Sequence, residues 1–211
     1  MLHFFPRPGG GSDRRDKNAT NSSASRPQTV DHREALRADC ARCQGLCCVG
    51  LAFDQSEWFG FDKPANVACQ HLQPDCTCSI HGELGARGQA GCAVYDCYGA
   101  GQRITQELYA GVSWQREPKA HATLFEAFRR LKRVHELRLL LHEAERLPLL
   151  PPQTTALEQL LTRLEPASGF SAQTLDALDL NDLEVAAHTW LRGLSGNVAD
   201  RARRRLSLAR G

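Results

Sequence analysis

The sequence predicts a mainly α-helical protein that carries an irregular cysteine-rich module and a disordered N-terminal tail. All nine cysteines of the 211-residue chain fall between Cys40 and Cys97. The residues before this segment are poor in apolar side chains, and the residues after it repeat apolar side chains at the three- and four-residue intervals of an α-helix. We therefore expect a tail at residues 1–33, a cysteine module at residues 34–101 and a helical bundle domain at residues 102–211.

The predicted tail combines glycine, serine, asparagine and charged residues, with almost no apolar side chains after Phe5. Such a segment buries too little apolar surface to offset the entropy lost on ordering. Its apolar start is interrupted by Pro6 and lacks the apolar core of roughly 7 to 15 residues that a secretory signal has. No later stretch reaches about 18 consecutive apolar residues, so no membrane-spanning helix is expected. We expect a cytoplasmic protein without a membrane partner.

Charge and motifs narrow the functional class. The formal net charge is +2, from 26 basic and 24 acidic side chains, which provides no global field to attract nucleic acid. The arginine-rich residues 201–210 lack the interleaved aromatic side chains of a nucleic-acid surface. The sequence has no G-x-S-x-G elbow, phosphate-binding loop or Rossmann glycine pattern. These observations favour a binding protein over an enzyme, and no nucleic-acid partner is expected.

The cysteine segment opens with Cys40-Ala-Arg-Cys43-Gln-Gly-Leu-Cys47-Cys48, a C-x2-C-x3-C-C pattern. Two thiols three residues apart on a turn reach one metal ion without strain. In a reducing compartment, clustered cysteines bind metal more often than they form disulfides. Because thiolates suit both zinc and iron–sulfur clusters, spacing alone does not decide between them. We expect a module stapled by one of these metals, and a disulfide-stapled scaffold stays open as an alternative.

The adjacent Cys47 and Cys48 bear on the number of metal sites. Neighbouring side chains of an extended chain point to opposite sides, so these two thiols are not expected to bind one zinc ion. One of them lies outside the ligand set, or the two bind different metals, or they flank a larger cluster. Two four-ligand zinc sites would leave one of the nine cysteines over, whereas one cubane cluster needs only four thiolates.

Glycines and prolines punctuate the cysteine module, so loops and short turns are expected to dominate it. A short helix at residues 32–39 is expected to deliver Cys40 to the opening motif. His71 and His81 lie two or three residues from cysteines and are able to replace a thiolate. A histidine near a cysteine loop more often faces solvent, so we do not include either in the ligand set.

The strongest helical pattern runs from His121 to Arg146. Its apolar residues recur along one helical face, which must cover another part of the protein. His135 and His142 do not form the H-E-x-x-H metal motif, so we expect both to be ordinary surface residues. The helical region is also the candidate surface for a protein partner. The predicted apolar face consists of Leu124, Phe128, Leu131, Val134, Leu137, Leu141 and Ala144.

Proline signals separate this helix from the next one. Pro148, Pro151 and Pro152 are expected to end it and to form a stiff connector. Thr154 or Thr155 is then expected to cap the following helix, because a side-chain oxygen there satisfies a free backbone N–H group.

The shorter helices are predicted from their end signals. A short helix is expected at Ile104–Tyr109, ahead of the main helix. Ser171 is expected to cap another short helix. Asn181 or Asp182 is expected to open the last helix, which Gly193 interrupts.

Together these motifs resemble a family of zinc- or iron-chelating proteins defined by a C-x2-C-x3-C-C cysteine cluster and often called YkgJ-like. The resemblance covers roughly residues 38–100 and includes Lys63-Pro64-Ala65-Asn66 and Cys78-Ser-Ile-His81. The family's arginine-proline pair is replaced here by the glycine-rich loop at residues 83–91. The family has one such cysteine fewer than this chain, which implies that Cys76 is the extra one. The implied metal ligands are Cys40, Cys43, Cys47, Cys48, Cys69, Cys78, Cys92 and Cys97.

A closer resemblance is to actinobacterial proteins in which such a module precedes a helical region and then pentapeptide repeats. This resemblance rests on two short sequence segments, Gly45–Val49 and Val94–Gly101, which have similar counterparts in those proteins. The present residues contain no run of A-[D/N]-L-x-x repeats, so we expect the module and helices without a right-handed β-helix and without DNA mimicry. A related cysteine module occurs in flagellin lysine methylases, which implies an alternative: an iron–sulfur-dependent enzyme of the methyl-transfer type.

Overall fold

The computed structural model describes residues 32–195. This part of the chain is mainly helical, and it contains no β-strand, only isolated bridges between Phe53 and Lys63 and between Leu72 and Cys78. The predicted tail up to residue 31 and the arginine-rich residues 201–210 lie outside the described range. None of the described helices has the length and apolarity needed to cross a lipid bilayer.

Short helices and loops make up the cysteine module, as its glycines and prolines predict. Asp39 begins the 3-10 turn at Cys40–Arg42, where its side chain accepts a hydrogen bond from the backbone N–H of Ala41. The predicted short helix near residue 104 is a π-helical turn, Ile104–Leu108, which directly continues the preceding helix. The four α-helices of this region are α1 (His32–Ala35), α2 (Leu46–Gly50), α3 (Ala90–Val94) and α4 (Ala100–Arg103).

The longest helix, α5 (His121–Ala144), lies where the apolar periodicity predicts it. Every residue of its predicted apolar face is buried. The prediction that His135 and His142 are surface residues is wrong, since they are 0% and 8% exposed. Phe125 and Arg138 are buried as well, which means that protein surrounds α5 on more than its apolar face.

Helix α6 (Pro151–Leu164) starts earlier than predicted. Pro151 and Pro152 form its first turn, so the prediction that they belong to a connector is wrong. Backbone N–H groups in a first turn have no acceptor within the helix, and proline, which lacks this group, is therefore tolerated there. Leu150, not a threonine, occupies the cap position.

Two shorter helices complete the described chain, α7 (Ala172–Asp176) and α8 (Leu180–Gly193). The predicted cap of α7 is confirmed, because the Ser171 side chain accepts a hydrogen bond from the backbone N–H of Thr174. Helix α8 begins slightly earlier than predicted, since its capping carboxylate belongs to Asp179.

One hydrophobic core joins the cysteine module to the helical region. Helix α5 contacts α1, α2 and α4 as well as α6, α7 and α8. Leu46 and Val49 of α2 and Ile104 lie in the same buried cluster as Phe125 of α5. Helices α2 and α5 pack closely at this point, because a Cβ atom at Gly50 would lie 2.9 Å from Cδ1 of Phe125. The thiols next to these core residues are therefore held in position by α5.

Hydrogen bonds from Gln44 fix the turn between Cys43 and α2. Its backbone N–H donates to Thr105 Oγ1 at 3.2 Å, and its side-chain amide donates to the Val112 carbonyl at 2.8 Å. The indole N–H of Trp114 donates to the Gln44 carbonyl at 2.9 Å. A residue that the sequence does not distinguish thus links the opening cysteine motif to a segment more than 60 residues away.

Candidate metal centre

All nine cysteines lie in the described part of the chain and carry free thiols. The adjacent Cys47 and Cys48 sit on helix α2, not on an extended segment as the prediction assumed. Their Sγ atoms lie 4.0 Å apart, close enough for one thiol to hydrogen-bond to the other. Cys47 interacts further with Cys43 and Cys97, whereas the charge of Cys48 acts on Cys69 and Cys92 and also on Cys40.

The first thiol cluster consists of Cys40, Cys43, Cys47 and Cys97. A Cβ atom at Gly101 would lie 2.7 Å from Cys43 Sγ and 3.7 Å from Cys97 Sγ, so these two sulfurs flank the same glycine. Desolvation and the charges of Cys97 and, next, of Cys48 raise the pKa of Cys40. The hydrogen bond to Cys48, burial, and the charges of Cys48, Cys43 and Cys97 hold the pKa of Cys47 well above its usual range. These interactions connect all four thiols electrostatically.

The second thiol cluster consists of Cys48, Cys69, Cys78 and Cys92. Desolvation, with smaller contributions from the charges of the other three thiols, raises the pKa of Cys92 to about 11. Desolvation also raises the pKa of Cys69, and so do the charges of Cys48 and Cys78. Cys48 lies on α2 and Cys92 on α3, whereas Cys69 and Cys78 lie in the segment between these helices. The Cys47–Cys48 dipeptide therefore joins two clusters of four thiols each.

The thiols are spaced more widely than a single bound ion would leave them. Within residues 32–195, no three cysteine sulfurs lie within 4.8 Å of one another. A tetrahedral zinc ion with Zn–S bonds of about 2.3 Å would hold its sulfurs about 3.8 Å apart. A cubane iron–sulfur cluster holds its thiolates farther apart, because four iron atoms lie between them. Either cluster must therefore contract to bind one zinc ion, and less contraction is needed for a cubane.

Backbone N–H groups and a hydroxyl support the sulfur of Cys43. Hydrogen bonds from the N–H groups of Leu46 and Gly45 and from the Thr105 side chain favour its thiolate, although desolvation raises the pKa of Cys43 to about 11. N–H groups that point at a sulfur stabilise the negative charge that a metal ligand needs. The turn is therefore arranged to hold a thiolate once a cation compensates for burial.

Lys63 places a buried positive charge beside the second thiol cluster. The side chain is 4% exposed, and its Nζ atom donates to the carbonyl oxygens of Val49 at 3.0 Å, of Pro64 at 3.1 Å and of Leu51. No carboxylate pairs with Lys63 among residues 32–195. Desolvation lowers its pKa, while the charges of nearby thiols, first Cys69, raise it. The acidic groups whose charges act on Lys63 are therefore thiols, first Cys69 and Cys48.

Cys48 is the thiol that ionises most readily. The hydrogen bond from Cys47 and the charge of Lys63 lower the pKa of Cys48 to about 7, against the opposing effect of burial. Since thiolates and not thiols bind metal, Cys48 offers a ligand near neutral pH. Sequence reasoning did not single out Lys63 as functional, although the Lys-Pro-Ala-Asn phrase was part of the family resemblance.

Cys76 belongs to neither thiol cluster. It lines a separate cavity of about 390 Å³ together with Gln44, Ser113 and Arg116. Its backbone has a φ of +67°, a left-handed conformation that is uncommon outside glycine. Among thiols, only Cys48 contributes to the raised pKa of Cys76, after desolvation and Asp75.

The two histidines of the module differ in their surroundings. The ring of His71 packs edge-on against Phe61, with ring centroids 5.8 Å apart. His81 lines a cavity of about 400 Å³ that also contains Cys92 and Tyr95. Neither ring lies within ligand spacing of two thiols in the described chain.

Buried His135 fixes the turn that carries Cys97. Its Nδ1–H donates to the Tyr98 carbonyl at 2.6 Å, and Arg103 Nη1 donates to Nε2 at 3.3 Å, which requires a neutral ring. Desolvation lowers the pKa of His135 to about 3, helped by the charges of Arg138 and Arg103 and opposed by the Tyr98 carbonyl. The sequence alone does not predict this long-range link between α5 and the Cys97 turn, because a single histidine in a helical pattern does not indicate which distant group it will hydrogen-bond to.

Acid is expected to destabilise the protein through His135. The ring is neutral in the folded chain but takes up a proton near pH 6.5 when unfolded, so stability is lost as the pH falls from about 6.5 toward about 3. The free energy of unfolding should fall by up to about 1.4 kcal/mol per pH unit from this group. Urea unfolding at several pH values measures the slope. His135→Gln should reduce it relative to His188→Gln, and equal slopes would contradict the assignment.

A methyl group at Gly101 is expected to disturb the first thiol cluster. The new Cβ atom would lie 2.7 Å from Cys43 Sγ, so the thiol must rotate or α4 must shift. We expect Gly101→Ala to lower the free energy of unfolding by about 1–3 kcal/mol, which exceeds the gain in helix propensity of about 1 kcal/mol. Gly82→Ala is the matched control, since nothing lies within 4 Å of its Cβ position. Equal stability of both variants in urea would contradict this placement of Cys43.

Comparison with known proteins identifies one similar sequence. The chain is 34% identical over 168 residues to the "Uncharacterized protein YybG" of Bacillus subtilis (strain 168). The match covers 80% of this chain, and the chain spans about 60% of the length of that relative. A stretch of this length necessarily includes most of the cysteine segment and all of α5, so both parts share the similarity.

The other two comparisons found nothing. No family model matches the chain, and no solved structure matches it. The resemblance to YkgJ-like proteins therefore stays a prediction from the cysteine pattern. The candidate metal centre is therefore supported by the structure of this chain and not by a known relative.

Proposed function

We propose that this chain is a metal-binding protein in which two clusters of four thiolates, joined at Cys47–Cys48, bind zinc or iron–sulfur clusters. The observation that supports the proposal is that Cys47 and Cys48, adjacent on one helix, interact mainly with different thiols: Cys47 with Cys43 and Cys97, and Cys48 with Cys69 and Cys92. A single chelating site offers no reason for two neighbouring cysteines to have different thiol neighbours. The metal is proposed to hold together the loops of residues 40–101.

Charge supports the same proposal. Four thiolates around one divalent ion leave a net negative charge, and a buried positive charge reduces the cost of enclosing it. Lys63 supplies such a charge beside the second thiol cluster. Desolvation alone keeps most of the other thiols protonated at neutral pH, and a bound cation would reverse this, because a metal ion lowers the pKa of its ligands. Zinc would act as a structural cross-link, whereas an iron–sulfur cluster would add electron-transfer chemistry.

Metal analysis of cysteine variants tests the proposal. Protein handled without oxygen is analysed for zinc, iron and sulfide per chain, in the parent and in Cys43→Ser, Cys69→Ser and Cys76→Ser. We expect Cys43→Ser and Cys69→Ser each to lose about half of the metal, because each removes a ligand from one cluster of the two. Cys76→Ser is the control and should retain all of it. A metal-free parent whose thiols are oxidised in pairs would overturn the proposal in favour of a disulfide scaffold.

Colour separates the two metals. An anaerobically purified chain with a broad visible absorption band contains an iron–sulfur cluster, and a colourless chain with bound zinc contains structural sites. Only the iron–sulfur result would leave open the alternative enzyme of the methyl-transfer type. A reducing cytoplasm is the compartment in which free thiols of this density persist, which makes it the proposed location.

A further inference from the structure

A separate set of donor atoms lies where α1 meets the C-terminal end of α5. Ligand atoms of His32, His142 and Glu145 lie within 4.8 Å of one another, and among residues 32–195 this is the group of donors that meets that spacing. His32 begins α1, His142 belongs to the last turn of α5, and Glu145 directly follows α5. Donors from distant parts of the chain thus share one small volume.

His142 is buried without the hydrogen bonds that a buried ring normally has. The residue is 8% exposed, and neither of its ring nitrogens makes a hydrogen bond. Carboxylate oxygens of Glu145 and Glu165 lie 3.3 Å from Nδ1 and 3.6 Å from Nε2, but outside hydrogen-bonding geometry. Leaving a buried polar group unpaired costs about 1–3 kcal/mol. An additional binding partner for these nitrogens would remove that cost.

His32 lies directly against this ring. The two imidazoles are stacked, with ring centroids 3.4 Å apart and planes at 8°. Neighbouring nitrogen ligands on a zinc ion with Zn–N bonds of about 2.1 Å lie about 3.4 Å apart, and the ligand nitrogens of His32 and His142 lie within 4.8 Å of each other. Parallel rings point their lone pairs in parallel directions, so His32 must tilt for both lone pairs to meet one ion. Metal binding is therefore expected to break the stack.

A protonated His142 held between two carboxylates is the competing arrangement. The groups that face His142 are Glu145, Glu165 and His32, and Arg138 on the same helix pairs with Glu165. Arg138 already pairs with Glu165, so Glu145 is the carboxylate left to balance an imidazolium, and its contact with Nδ1 at 3.3 Å lacks hydrogen-bonding geometry.

We propose that His32, His142 and Glu145 form an additional binding site for a divalent transition-metal ion, distinct from the thiol clusters. Two imidazoles and one carboxylate are a donor set that zinc accepts in proteins, with water as a fourth ligand. The bound ion would link the start of α1 to the end of α5, alongside the ion pair between Arg33 and Glu143 at 2.6 Å. This proposal does not depend on whether the cysteines bind metal.

Zinc titration of matched variants tests the site. Zn²⁺ is added to the full chain and to His32→Gln, Glu145→Gln, His188→Gln and Glu158→Gln, and bound zinc is counted after dialysis. We expect His32→Gln and Glu145→Gln to bind one equivalent fewer than the parent, or to bind it at least tenfold more weakly. His188→Gln and Glu158→Gln replace exposed residues of the same types on other helices and should match the parent. Each comparison is a difference from the parent, so it reports this site whatever the thiols bind.

A stability measurement guards against variants that merely fold poorly. Without added zinc, all five proteins should melt within a few degrees of one another. Added zinc should raise the melting temperature of the parent and of the two control variants by more than that of His32→Gln and Glu145→Gln, because a ligand that binds the folded state stabilises it and these two variants lack one zinc site. Equal zinc binding by all five proteins would overturn the proposal. So would nitrogen NMR showing His142 protonated at pH 7 with zinc present.

Discussion

Removing the proposed metal is expected to unfold the loops of residues 51–99 and to lower the stability of the whole protein. In this stretch, the described regular structure consists of isolated bridges, a 3-10 turn and the single-turn helix α3. Binding of a structural zinc ion contributes about 10–16 kcal/mol in small zinc domains, as much as the usual total stability of about 5–15 kcal/mol or more. Losing even part of this should leave the loops without enough stabilising contacts.

Hydrogen exchange before and after treatment with a chelator, under reducing conditions, measures this effect. Amide protection should disappear from residues 51–99, and α5 to α8 should retain more of theirs, because they have their own buried leucines. Cys76→Ser should behave as the parent does, since this thiol lies outside both clusters. If the chelated protein keeps full protection in the loops, metal does not hold them together.

Phe125→Ala is expected to destabilise the protein by about 3–5 kcal/mol, enough to remove much of its stability. Phe125 is fully buried and touches Gly50 of α2, and its ring lies 4.6 Å from that of His121. Truncation would leave a cavity at the junction between the cysteine module and α5. Such a cavity cannot be filled by movement of Gly50, which has no side chain. Urea unfolding followed by circular dichroism gives the change in free energy.

Leu140→Ala is the matched control, because Leu140 lies on the same helix and is 42% exposed. Its replacement should change stability by less than about 1 kcal/mol, since little of its surface leaves water on folding. Phe125→Ala should also increase exchange in α2, where Cys47 and Cys48 sit. If amide exchange increased only in α5, this would contradict the view that one hydrophobic core supports both the cysteine module and the helical region.

Periodicity predicted the helices well where burial follows one face. The apolar face of α5 and the Ser171 cap depend on residues three or four positions apart, and such spacing is set by helix geometry itself. The proline connector was predicted wrongly, because a proline signals both an end and a first turn and only the neighbouring structure decides which applies. The burial of His135 and His142 was missed for a related reason: α5 is enclosed on several faces.

The clustering of nine thiols in one loop-rich segment and the amphipathic character of α5 are properties of the sequence alone, because each depends on local spacing and composition. The tertiary structure alone decided that Cys47 and Cys48 face different thiols, that Lys63 is buried beside them, and that His32 meets Glu145. Each of these depends on contacts between segments far apart along the chain. Such contacts are selected by packing around α5, and no local pattern encodes them.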